Sequence, residues 1–210
     1  MSFDSPGAVV LLELKLMPTA RPPEPSSVEQ LVKEARIALE TLGEGATWTP
    51  AAGPLLSGRV TLRDPAGVFP LLHGLRTQLR AVPKRPKGYW IAGIGGGHEM
   101  EASRLAGDAF RSLARERYRT TRVLTPDAST NVILDAVCRV LDDFLREWTA
   151  AQWQAIHQRD RGRTLQQIGA DLGIAYQNVS KRLIAAKYSL YRDLENAASL
   201  LFSQDSPRSR

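Results

Sequence analysis

Two Thr-x-x-Gln tetrads, Thr149 to Gln152 and Thr164 to Gln167, constrain the fold of this chain more than any other feature. In such a capping box the threonine hydroxyl accepts from the amide three residues on, and the glutamine side chain returns to the threonine amide. A helix begins at each tetrad. Trp148 and Trp153 occupy the positions of a hydrophobic staple around the first, and Arg161-Gly162-Arg163 ends the helix that follows. The second tetrad opens a short helix, Leu165 to Leu172. Gly173 then supplies the backbone freedom of a sharp left-handed turn, and a third helix runs from about Ala175. This spacing places Ile168, Leu172, Ile174, Val179 and Leu183 inward, with Gly169 where two helices cross closely. Every inward position is apolar or tiny, as a helix-turn-helix over residues 164–187 requires.

The outward face of the third helix carries Tyr176, Gln177, Asn178, Ser180, Lys181, Arg182 and Lys187, with no carboxylate. Amides can meet base edges, and cations and hydroxyls can meet phosphates. Gln177, Asn178 and Lys181 are the expected base readers. Tyr176, Ser180, Arg182, Lys187, Arg161 and Arg163 are expected on the backbone, with Thr164 in the same DNA-binding set. Charge agrees: residues 151–192 hold seven Lys/Arg and two Asp, five of the chain's six net positive charges. The expected partner is double-stranded DNA, docked by the third helix in a major groove. The bland alternatives are a helix-turn-helix that binds no DNA and a merely solvated cationic face.

Of the 210 residues, 43% are apolar and 24% charged, an ordinary globular balance. The single cysteine, Cys138, excludes an intramolecular disulfide and a cysteine-based zinc site, and His73, His98 and His157 are too scattered for the usual ligand spacing. No metal or cofactor is implied. The expected compartment is the reducing cytoplasm. The apolar run 8–16 is interrupted by Glu13 and Lys15 and lacks the flanks of a signal peptide. No stretch approaches the roughly 20 apolar residues of a membrane helix.

Before Asp127 the pattern is mixed. Ala8 to Leu16 reads as a strand buried on parts of both faces. Prolines 18, 22, 23 and 25 interrupt, and Ser27 is the expected cap of a helix to about Leu42. Strands are expected at 46–49 and 55–62 around a turn over 50–54, then a helix from about Pro65 to Arg80. The proline-flanked basic loop with Lys84, Arg85 and Lys87 leads to a strand from Tyr89 to Ile94, and Gly95-Gly96-Gly97 is the expected turn into a helix over 102–117. A short strand at 119–124 closes an α+β sheet domain, 1–126.

From Asp127 onward only helices are expected, over 127–203. Val132, Ile133, Ala136, Val137, Val140, Leu141, Phe144, Leu145 and Trp148 give the first a wide apolar face. The third helix of the motif is expected to continue past Lys187 to Phe202. There Leu183, Leu190 and Ala197, interleaved with Lys187, Leu194 and Leu201, form either a homodimer seam or a face packed on the helix before Trp148. Residues 204–210 read as a disordered tail.

Several stretches together resemble the SatD family of bacterial proteins. They are Trp148-Thr149 with Gln152, the run from Thr164 to Ile174, Asn178 to Leu183, Gly93-Ile-Gly-Gly-Gly, and Gly107-Asp-Ala-Phe with Ala114-Arg115. The resemblance implies a ferredoxin-like, nucleotide-cyclase-like sheet domain followed by a C-terminal helix-turn-helix. The family's acidic metal site is degenerate here: Leu12-Glu13 stands where a Gly-Asp pair belongs, and Gly53-Pro-Leu-Leu-Ser where carboxylates should converge at a hairpin. Holding magnesium against phosphates needs two hard ligands projecting together. Sequence and resemblance together imply a cytoplasmic, sequence-specific transcriptional regulator, dimeric and not an enzyme, with a small-molecule or nucleotide effector left open. A nucleotide-binding or cyclase-like enzyme with a regulatory helical tail, and a helix-turn-helix that engages a protein, remain the alternatives.

Overall fold

The computed structural model describes residues 7–16, 23–42, 45–52, 55–80, 88–116 and 118–204. Their order is β1 (Gly7–Leu16), α1 (Pro25–Glu40), β2 (Ala46–Ala51), β3 (Ser57–Leu62), α2 (Val68–Arg80), β4 (Gly88–Gly97), α3 (Glu99–Leu113), β5 (Thr121–Leu124), α4 (Ala128–Glu147), α5 (Ala150–Asp160), α6 (Leu165–Leu172), α7 (Tyr176–Ala185) and α8 (Tyr188–Gln204). The class is α+β, and one mixed sheet runs β2-β3-β1-β4-β5. β1 pairs antiparallel with both β3 and β4, and β5 joins β4 in parallel.

β1 is covered on both faces by helices, which explains its nearly unbroken apolar run. Ala8, Val10, Leu12 and Leu14 face a core shared with α1, α2, α4 and α8. Val9 and Leu11 face α3, against Ala102 and Ala106. α3 does not reach β2 and β3 in the same way, and their residues on that face, Thr47, Thr49, Arg59 and Thr61, are polar. The helices after Asp127 do not stand apart from the sheet: Leu134, Cys138, Leu141, Trp148, Trp153, Tyr191 and Phe202 share one core with Val10, Trp90 and Ile94.

Four local expectations are corrected. α1 begins at Pro25 with Glu24 at its cap, and Ser27 lies inside the first turn, because proline's fixed φ suits the first helical position. The expected turn over 50–54 starts later, since Pro50 and Ala51 still pair with Gly58 and Ser57; Gly53 and Pro54 lie outside the described residues. Gln204 closes α8 rather than opening a tail, while 205–210, like Lys84, Arg85 and Lys87, lie outside the described residues. The fourth concerns the glycines. Gly95, Gly96 and Gly97 are not a turn but the buried end of β4.

The reason is the closeness of α3. A Cβ on Gly95 would stand 2.0 Å from the Ala102 carbonyl oxygen, and one on Gly93 2.5 Å from the Phe110 amide nitrogen. The glycines admit a helix, and their buried amides do not face an open phosphate site. Gly95→Ala is expected to destabilise the fold by about 1–3 kcal/mol, because helix backbone cannot yield as a side chain would. Gly74→Ala is the matched control: its Cβ meets nothing within 4 Å, and the change is expected to stabilise α2 by about 0.5–1 kcal/mol. Urea midpoints of the two variants moving in the same direction would contradict this.

Candidate nucleic-acid interface

Both capping boxes form. Thr149 Oγ1 accepts from the Gln152 amide at 3.3 Å while Gln152 Oε1 accepts from the Thr149 amide at 2.7 Å. At the second box the same bonds measure 3.2 and 2.9 Å, so the Thr164 hydroxyl is engaged in starting α6. Trp148 and Trp153 are buried, with ring centroids 4.9 Å apart. The staple fixes how the chain passes from α4 into α5.

Gly173 caps α6 in the left-handed region, φ +65°, and the Ile174 amide donates to the Gly169 carbonyl at 2.9 Å. A side chain at Gly169 would press on that corner, its Cβ 2.7 Å from the Ile174 carbonyl oxygen. Ala155 of α5, Ile168 of α6 and Val179 of α7 are fully buried together, and Leu165, Leu172, Ile174 and Leu183 pack around them. α5, α6 and α7 thus have a small core of their own.

On the opposite side of α7, Tyr176, Gln177, Asn178, Lys181 and Lys187 are exposed, and Ser180 and Arg182 are half-buried. Arg161, Arg163 and Thr164 are exposed at the mouth of the loop before α6. Arg163 reaches Asp171 at 3.2 Å, a solvent-exposed pair worth about 0–1 kcal/mol and readily exchanged for another anion. Among the described residues no ion pair engages Lys181, Arg182 or Lys187. All ten residues of the expected set lie on α7 or at the two ends of the segment 161–187.

The helix does not run on through Lys187 as its spacing suggests. Lys187 has φ +51°, α7 ends at Ala185, and α8 starts afresh at Tyr188. The break divides the expected heptad stripe. Leu183 stays on α7, Leu194 and Leu201 pack into the chain's own core, and Leu190 and Ala197 face outward. α4 is likewise rotated from its expected setting. It buries Leu134, Cys138, Leu141 and Leu145 and leaves Val132, Ile133 and Val140 exposed.

Sequence reasoning missed the polar groups that root this unit. His73 of α2 is 3% exposed, with Nε2 2.7 Å from Asp160 Oδ2 and Nδ1 3.2 Å from the Tyr191 hydroxyl. The Tyr188 hydroxyl donates to the other Asp160 oxygen at 2.5 Å. Burial first, then this bond, raise the Tyr188 pKa, so its hydroxyl stays a donor. The Trp148 indole donates to the Ala186 carbonyl at 2.8 Å, at the end of α7. The capping-box pattern could find the helices; nothing in local spacing pointed from residue 73 to residue 160.

Elsewhere, Glu13 is taken by Lys15 at 2.5 Å, and Glu99 by Arg59 at 3.2 Å. Among the described residues no group of three His, Cys, Asp or Glu side chains is placed to hold a metal ion, and no helix is long and apolar enough to cross a membrane. No family model matches the chain, and no curated protein matches it.

Proposed function

We propose that this chain is a sequence-specific DNA-binding transcriptional regulator of the cytoplasm, docking α7 in a major groove and acting as a homodimer. The observation that carries the reading is the exposed face of α7: amides, hydroxyls and cations beside the apolar Ile184, without a carboxylate, on a helix whose inward residues are packed. In this reading α5 to α7 are the helix-turn-helix unit, Gln177, Asn178 and Lys181 meet base edges, and Tyr176, Ser180, Arg182, Lys187, Arg161 and Arg163 meet phosphates. Thr164 contributes by starting α6.

The sheet part is read as a sensing or dimerising domain. The antiparallel order β2-β3-β1-β4, built as β-α-β-β-α-β, favours a ferredoxin-like arrangement with β5 appended, in keeping with the SatD resemblance. The enzyme reading gains nothing from Glu13, held by Lys15, or from glycines buried beneath α3. Leu190, 49% exposed, and Ala197 are the outward residues a dimer seam along α8 would use.

Selection of bound duplexes from a random-sequence pool, followed by titration of the best one at several salt concentrations, tests the proposal. A preferred site, bound tightest at low salt with log K falling linearly in log salt, is the expected result. Retention of no duplex at about 50 mM salt overturns it, and favours a helix-turn-helix that engages a protein.

A further inference from the structure

The segment 161–187, which holds every residue of the candidate interface, leaves the body of the protein at Asp160 and returns at Tyr188. These two flanking residues are bonded to each other, hydroxyl to carboxylate, so the segment is closed at its root. The second oxygen of Asp160 is held by His73, which belongs to α2 and lies beside the sheet core rather than among the motif helices. A carboxylate can only accept, so the His73 Nε2 donates to Asp160, and Nδ1 pairs with the Tyr191 hydroxyl, which can serve as donor or acceptor. The histidine's two nitrogens therefore grip both sides of the root: the last residue of α5 and the first turn of α8. Its ring lies against Tyr191, centroids 5.0 Å apart, and edge-on to Trp148 at 6.5 Å, whose indole in turn holds Ala186.

We propose that His73 is a positioning residue for the DNA-binding face: by holding the Asp160–Tyr188 clasp, it sets the angle at which α2 and the sheet present α7. This rests on the DNA-binding reading of α7 for its consequence, but not for its geometry. A 3%-exposed histidine bonded through both nitrogens to residues far from it in sequence has few alternative settings. Loosening the root lets α6 and α7 swing against α5, on which they rest through Ala155, since neither His73 nor Tyr188 belongs to that small core. Binding then has to re-order that swing, which weakens affinity while every group that meets DNA stays in place.

The test uses the full chain and three substitutions. In His73→Gln the side-chain amide nitrogen stands near the place of Nε2 and can still donate to Asp160. In His73→Asn the side chain reaches only the place of Nδ1, beside Tyr191, and in His73→Ala both bonds go. DNA affinity is expected to fall about tenfold in His73→Ala and His73→Asn and to be retained within about twofold in His73→Gln. Asp160→Asn combined with His73→Ala should add little to either alone. Amide hydrogen exchange without DNA gives the second readout: faster exchange confined to α6 and α7, restored by His73→Gln, supports the clasp. Equal exchange acceleration throughout β1, β4 and α4 overturns it, as does an unchanged affinity in His73→Ala. A wild-type chain that binds no duplex defeats the DNA reading alone, and the exchange pattern still decides the clasp.

Discussion

Lys181→Ala combined with Arg182→Ala is expected to weaken duplex binding by roughly fivefold at physiological salt through the phosphate contact of Arg182, with a further loss from the base contact of Lys181, and to flatten its salt dependence by about 0.9. The figures follow from counterion release. Each phosphate that no longer meets a cation takes about 0.9 off the slope of log K against log salt, and costs roughly fivefold in affinity at about 0.15 M relative to 1 M. Lys181 is exposed and Arg182 half-buried on the outward side of α7. Among the described residues neither is engaged in an ion pair, so the fold loses little, within about 0.5 kcal/mol. A melting temperature equal to wild type with a reduced slope is the signature of a surface that meets DNA. If Lys181 reads a base, the double variant also relaxes preference at one position of the site, which phosphate contacts alone do not do. A slope equal to wild type would place the duplex somewhere other than α7.

The parts legible in the sequence are those whose cause is local. A capping box is a bonding pattern four residues long, and both boxes form at their tetrads. Gly173 lies in the left-handed region because the turn needs it there, and the inward set Ile168 and Val179 is buried because helical spacing leaves no other face. The order of strands and helices up to β5 is also readable from changes of period. The errors arise where a distant element decides. Gly95 looks like a turn residue until α3 is laid across it. Val132 and Val140 look like core until α4 is docked on β5 and α8 by a different stripe. Lys187 carries no local mark of its positive φ; the break follows from Trp148 and Asp160 holding the chain on both sides of it. Asp142 is marked by nothing in its local pattern and is among the most enclosed carboxylates of the described residues.

That aspartate carries the largest expected effect on stability: Asp142→Ala should destabilise the fold by about 3–5 kcal/mol. The side chain is 4% exposed, and both its oxygens are used twice. Oδ2 accepts from the amides of Thr120 and Thr121 at 2.8 and 3.0 Å, and Oδ1 from their hydroxyls at 2.6 and 2.8 Å. Arg119, itself buried, lies 3.6 Å away, and Arg76 of α2 donates to the Thr121 hydroxyl at 2.6 Å. β5 is a four-residue edge strand, and these bonds are what tie its first residue to α4. Removing the carboxylate strands two backbone donors in a site closed to water and leaves Arg119 to Asp135 and Glu116 alone. Asn at this position should recover part of the loss, since its Oδ1 can keep the two amides while its NH2 group donates to the two hydroxyls, but it leaves Arg119 without this carboxylate. For a chain of this size the loss corresponds to a melting temperature lower by roughly 6–20 °C. A shift below about 2 °C would show that the four bonds to Asp142 contribute nothing to stability. Below its own midpoint the variant should still bind duplex with the wild-type salt slope, because the bonds of Asp142 go to Thr120 and Thr121 and none reaches α7 or its cations. Loss of stability at Asp142 and loss of slope at Lys181 and Arg182 are therefore separable, and a variant set in which they move together would mean that the sheet edge, not α7, meets the nucleic acid.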